Sequence, residues 1–161
     1  MRVFRVSRAT PENASALTAV AFAAKRYWGY PEDWIREWAP LLTFTPEFIR
    51  AQVTFKATEG TEIIGAAAIE VQETDASIVH LWVMPAAMGS GVGGSLFAAC
   101  ETAARSIGAK RLIIESDPNA EGFYRKMGAT FIGKVAAEVK SATVGDGATQ
   151  RFLPVLEKRL E

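Results

Sequence analysis

Gly89, Gly91, Gly93 and Gly94 crowd into six positions after a strand-forming run, Ile78-Val79-His80-Leu81-Trp82-Val83, and Pro85. Beyond them Leu96, Phe97, Cys100, Ala103 and Ala104 recur at helical spacing. The pattern is strand, glycine-rich turn, helix, and the chemistry it offers is anion binding. The first turn of a helix has N–H groups without intrahelical partners and carries the positive end of the helix dipole. Glycines there admit positive φ and let a phosphate approach the backbone closely. A pyrophosphate-bearing cofactor is the expected occupant.

Two such cofactors compete. Gly89-x-Gly91-x-x-Gly94 is a literal dinucleotide fingerprint, and Glu115 closes the next apolar run, Leu112-Ile113-Ile114, about 20 residues on. A dinucleotide loop, however, turns straight out of its strand, whereas Pro85-Ala86-Ala87-Met88 separates Val83 from Gly89. The chain left after Gly94 is also too short for the further strand–helix units of a dinucleotide domain. That reading is the weaker.

The stronger one uses more residues. Val83, Pro85 and Met88 through Gly94 form V-x-P-x-x-M-G-x-G-x-G-G, which resembles the acetyl-CoA signature of the GNAT superfamily of N-acetyltransferases. About 30 residues later, Asn119, Phe123-Tyr124 and Gly128-Ala129 look like that family's downstream helix. Met88 stands where the family commonly has Arg or Gln, which removes a side-chain contact to the cofactor and leaves the backbone cradle. The resemblance spans nearly the whole chain and is firmest over residues 62–133. It implies acetyl-CoA as co-substrate, with contacts from Trp82, Val83, Met84, Met88, Gly89, Ser90, Gly91, Val92, Gly93, Gly94, Asn119 and Tyr124. It also implies a V-shaped slot for the pantetheine arm, between strands 77–84 and 111–115.

Acetyl transfer to an amine requires a neutral amine, a stabilised oxyanion and a proton for the departing sulfur. Freed backbone N–H groups near Trp82, Val83 and Met84 can serve the oxyanion. Tyr124 occupies the position of the acid in many family members, and a phenol of pKa about 10 keeps its proton at neutral pH. Asn119 is expected on the pantetheine amides. For the base, the strand before the glycines offers His80, whose ordinary pKa of about 6.5 suits the task. Alternation places His80 on one side with Ile78, Trp82 and Met84, where a structural role competes; Glu70, Glu73 and Glu115 acting through water are rivals. The resemblance implies an acceptor site on the segment between the first two strands, with Trp28 and Tyr30 expected as an apolar wall and Glu32, Asp33 or Glu37 as attractors of the amine. Trp34 and Trp38 keep helical spacing and read as core. A CoA-binding sensor without catalysis is the alternative from another class, motivated by Met88 and by the lack of a carboxylate early in the strand.

Composition sets the frame. The chain has 161 residues, 49% of them hydrophobic, which suits a single domain over 1–161. Eighteen basic and eighteen acidic residues cancel, so no overall field attracts nucleic acid or an anionic membrane. One His and one Cys do not make a zinc site, and Cys100 reads as a small core residue. Arg2, Arg5 and Arg8 before an Ala-rich stretch imitate a signal peptide, but Thr10-Pro11-Glu12 is a helix start. A cytoplasmic protein follows as the expectation, with a small-molecule or peptide amine as partner and a monomer or homodimer as its state.

The elements expected to position these residues are strands at 3–6, 53–58, 62–72, 77–84, 111–115, 130–133 and 152–158. Helices are expected at 11–27, 32–38, 46–52, 92–107 and 118–127, with a mobile loop at Ser141–Ala148. Antiparallel strands leading into strand–helix–strand give a mixed α/β, largely antiparallel sheet with helices on both faces.

Overall fold

A computed structural model describes residues 2–137, 139–144, 147–149 and 151–160. Its main sheet has seven strands in the order β1-β2-β3-β4-β5-β9-β6, with β1 at Arg5–Arg8, β2 at Val53–Glu59, β3 at Glu62–Gln72, β4 at Asp75–Val83, β5 at Arg111–Glu115, β6 at Thr130–Ala136 and β9 at Phe152–Arg159. Every neighbouring pair is antiparallel except β4 and β5. A second, two-stranded sheet pairs β7 (Val139–Val144) with β8 (Gly147–Thr149).

Helices cover both faces, and each face has its own core. On one, α1 (Ala14–Tyr27), α2 (Glu32–Leu42) and α3 (Pro46–Ala51) pack Leu17, Ala21, Ile35, Trp38, Leu42 and Ile49 against Ala66 and Ala68 of β3. On the other, α4 (Val92–Ser106) and α5 (Glu121–Lys126) bring Val92, Leu96, Phe97 and Tyr124 against Ala67, Ile69, Ile78 and Leu112. The alternation Ala66/Ala68 against Ala67/Ile69 is the period of a strand buried on both sides. Small residues on β3 let α4 approach closely. A Cβ on Gly65 would stand 2.9 Å from Leu96 Cδ1 and 3.0 Å from Val92 Cγ1.

Four expectations need correction. The first strand lies at Arg5–Arg8, because its pairing with β2 begins at Arg5↔Thr58. Helix α2 does not stop before Pro40 but runs to Leu42, which is 2% exposed. Pro40 removes one N–H close to the C-terminal end, and burial of Leu42 outweighs that single bond. Ser141–Ala148 is not a loop: its described residues belong to the β7–β8 hairpin, residues 145 and 146 lying outside them. Val139 at its base is fully buried against the α2 face, and the Lys140 N–H donates to Glu37 Oε2 at 2.9 Å.

The fourth correction shapes the site. Along β3–β4 the register passes from Ala68↔His80 to Ile69↔Ile78, so Val79 has no partner and forms a bulge. A bulge flips the facing of all that follows. Ile78 therefore joins the α4 face while His80 joins the α1–α3 face, and the unbroken alternation expected for them fails.

Candidate active site

The parallel pairing of β4 with β5 runs only from Asp75↔Arg111 to Ile78↔Ile114. Beyond it β4 continues to Val83 on β3 alone, while Glu115 of β5 pairs with Val155 of β9. The strands separate at the bulge and leave a gap. The Met84 N–H donates to the Ile64 carbonyl at 2.9 Å, which sets the phase of the antiparallel ladder. Residues 84, 82 and 80 thus aim their N–H groups at β3. Those of Leu81 and Val83 aim at the gap. Of the three expected oxyanion donors only Val83 has this orientation, and Leu81, which the sequence did not single out, shares it.

At the far end of β4, Pro85–Ala87 form a 3-10 turn and the chain enters α4 through Gly89 and Gly91, with φ of 79° and 91°. Ser90 Oγ donates to the Ala87 carbonyl and fixes the loop, and Met88 is half-buried beside it. The Ser95 N–H to Gly91 carbonyl bond, 3.0 Å, closes the first helical turn. Val92, Gly93 and Gly94 precede it, so their N–H groups have no intrahelical acceptor. Nothing lies within 4 Å of where a Cβ would stand on Gly89 or Gly91. Gly93 differs, for its Cβ would meet Phe123 Cε1 at 3.2 Å. An open, cationic backbone cradle is what a pyrophosphate needs.

Tyr124 of α5 is 7% exposed and packs on Phe97 and Phe123, ring centres 6.2 and 5.1 Å away. Burial, aided by the Cys100 thiol and Asp117, pushes its phenol well above the ordinary value. Among the described residues every fully enclosed side-chain oxygen or nitrogen has a partner, and no partner is found for the Tyr124 hydroxyl. That oxygen is therefore not fully enclosed. A partnerless hydroxyl that keeps its proton is a ready donor.

His80 offers less as a base. It is 7% exposed, lies against Phe44 at 4.1 Å and Phe48 at 5.5 Å, and accepts a 2.8 Å hydrogen bond at Nδ1 from the Trp82 indole. Burial lowers its pKa to about 4.

On the α1–α3 side of the gap lies a cleft of about 540 Å³, lined among others by Lys25, Trp38, Glu70, His80, Trp82, Glu115, Asp117 and Arg151. Lys25 Nζ is 2.6 Å from Asp117 Oδ2, both side chains nearly buried, and 4.5 Å from the centre of the Trp38 ring. The Tyr30 hydroxyl donates to Asp117 at 3.0 Å and accepts from Asn119 Nδ2 at 3.1 Å and from Arg151 Nη2 at 3.0 Å. Burial raises Asp117, and the Lys25 ammonium outweighs it and holds the carboxyl below its usual range. Burial also lowers Lys25, with Asp117 opposing, and raises Tyr30 to about 12.

Several expected site residues sit otherwise. Tyr30 points inward as part of this network, but Trp28 is 40% exposed, packs on Tyr27 and does not line the cleft. Trp38, read as core, does line it. Glu32 and Asp33 bind Arg26 and Arg36 on the surface. Asn119 is engaged by Asp117 and Tyr30. Lys25, Asp117 and Arg151 were missed. Lys25 alone left a trace, being a cation on the Leu17–Ala21–Ala24 stripe of α1.

A family model described as the acetyltransferase (GNAT) domain matches residues 42–142, more than half of the chain. The chain belongs to the GNAT acetyltransferase family. Solved GNAT structures share its fold. The PaiA N-acetyltransferase of Thermoplasma acidophilum, in complex with coenzyme A, is 16% identical, with a TM-score of 0.77 over 98% of this chain and 99% of its own. A GCN5-related N-acetyltransferase of Rhodopseudomonas palustris is 23% identical, with a TM-score of 0.78 over 99% and 98%. A GNAT acetyltransferase of Brucella melitensis in complex with acetyl-CoA is 21% identical, with a TM-score of 0.64 over 81% and 84%. No curated protein matches the chain. The GNAT fold accounts for the parted β4 and β5, and among the described residues no helix is long and apolar enough to cross a membrane.

Proposed function

We propose that this GNAT acetyltransferase moves the acetyl group of acetyl-CoA to a primary amine of a small molecule or peptide, by direct attack in a ternary complex. The observation that carries the reading is the gap between β4 and β5. The glycine loop and Tyr124 belong to the α4 face beside it, and the cleft to the α1–α3 face. Two substrates can meet there from opposite sides of one sheet.

The cradle at Gly89–Gly94 would hold the pyrophosphate, and the gap would hold the pantetheine. Acetyl-CoA supplies a thioester carbon at which the C–N bond forms as the C–S bond breaks. The Leu81 and Val83 N–H groups stabilise negative charge on the carbonyl oxygen. Tyr124 hands its proton to the sulfur. The amine proton leaves through water to Glu70 or Glu115, cleft carboxylates to which no cation pairs among the described residues, whereas Asp117 is engaged by Lys25. His80 positions Trp82 rather than taking the proton. Cys100 forms no acetyl intermediate, because it is fully buried and burial raises its thiol to about 12.

Thiol release from acetyl-CoA, measured against a panel of amines, tests this. The reading requires release that depends on the amine and double-reciprocal plots that intersect. Parallel plots would mean a covalent acetyl-enzyme. Binding of CoA with no release for any amine would favour the regulatory module suggested by Met88.

A further inference from the structure

We propose that Arg151 reads a carboxylate on the acceptor, so that the amine acetylated here also carries an anionic group. This deepens the transferase reading above and rests on it.

Arg151 precedes β9 and lines the same cleft as Lys25, Asp117 and Trp82. Its guanidinium carbon lies 4.9 Å from the centre of the Trp38 ring, 5.1 Å from Tyr30 and 5.9 Å from Trp34. One N–H goes to the Tyr30 hydroxyl, and no carboxylate among the described residues pairs with the group. Aromatic rings fix the guanidinium without neutralising it, and Tyr30 holds it at one corner. The remaining N–H groups keep the fork that matches a carboxylate.

The charges around it sharpen the point. Lys25 and Asp117 cancel as a close pair, so the positive charge of Arg151 is left over. Glu70 and Glu115 line the same cleft and favour an ammonium group. An acceptor bearing both amine and carboxylate satisfies both signs. A diamine without a carboxylate meets Arg151 with like charge, which discriminates against it.

The test compares wild type with Arg151→Gln and Arg151→Lys, each shown by melting to be folded. Thiol release is measured with free L-amino acids, their C-terminal amides and 1,4-diaminobutane. Separately from turnover, quenching of tryptophan fluorescence is followed as N-acetyl amino acids and their amides are added to CoA-saturated protein. Free carboxylates should be preferred over amides by about tenfold or more in both readouts, the size of a lost charged hydrogen bond. Arg151→Gln should erase that preference through KM, Arg151→Lys should keep part of it, and CoA affinity should stay unchanged in both. Equal use of amides or of the diamine, or a preference that survives in Arg151→Gln, overturns the proposal. So does a CoA-binding protein that neither reacts with nor is quenched by any carboxylate, and that outcome leaves the CoA site standing. Failure of CoA to bind would sink the transferase reading instead, and a carboxylate quench of the CoA-free protein that is lost in Arg151→Gln would still support this one.

Discussion

Burial acts on Tyr124 and His80 with opposite consequences for their protons. It disfavours the phenolate, so Tyr124 keeps a proton to give; it disfavours the imidazolium, so His80 stays neutral. Tyr124→Phe should lower kcat by about 10²-fold with CoA affinity nearly intact, since the ring still packs on Phe97 and Phe123. Single-turnover kinetics would check this, and an unchanged chemical step would remove Tyr124 from the acid role. His80 gives a stability signature. Unfolded, it protonates near about 6.5, and folded only near about 4, so between those values the unfolded chain binds the extra proton. Stability from this group is complete above pH about 6.5 and is lost as pH falls toward about 4, a range worth on the order of 3 kcal/mol. Denaturant melts at pH 7 and pH 4.5 should show that loss in wild type and much less of it in His80→Gln. The acid limb of kcat/KM should persist in His80→Gln; its disappearance would return the base to His80. The short helix that carries Tyr124 was legible because its motif is local. Lys25, Asp117 and Arg151 were not, because contacts 92 and 121 positions apart in sequence build their network.

At the scale of elements, the strand–loop–helix unit was readable because glycine spacing and helical periodicity are both local signals. Its open and closed sides were not. Gly91 faces free space at positive φ, whereas Gly65 and Gly93 face Leu96 and Phe123. Gly91→Val should thus cost about 1–2 kcal/mol of strain, leave the protein folded and abolish CoA binding. Gly65→Val should act the other way, destabilising by about 1–3 kcal/mol through overpacking against α4. Melting and calorimetry on the two variants separate a cradle from a packing contact, and CoA affinity retained in Gly91→Val would place the pyrophosphate elsewhere. The Val79 bulge escaped sequence reasoning because Ser77-Ile78-Val79-His80 offers no Gly or Pro to mark it. That one residue decides which N–H groups face the gap. The β7–β8 hairpin was hidden for a related reason: small residues with Gly145 and Gly147 read as loop, and Val139 packing on α2 was invisible.

For the whole molecule, the mixed sheet with helices on both faces was legible from the order of elements, and the family from two motifs in sequence. The division of labour between the faces was not, because it depends on strands separating after Ile78 and Ile114. The α4 face presents a backbone cradle and a phenol, and the α1–α3 face presents a charged, aromatic cleft. In the proposed reaction the two substrates meet in the gap between β4 and β5. A crystal structure grown with CoA tests it most directly. The expected result is the pyrophosphate against the N–H groups of residues 89–94, the pantetheine between β4 and β5, and the sulfur within hydrogen-bond reach of the Tyr124 hydroxyl. CoA bound with the gap empty, or with its sulfur pointing away from Tyr124, would contradict it.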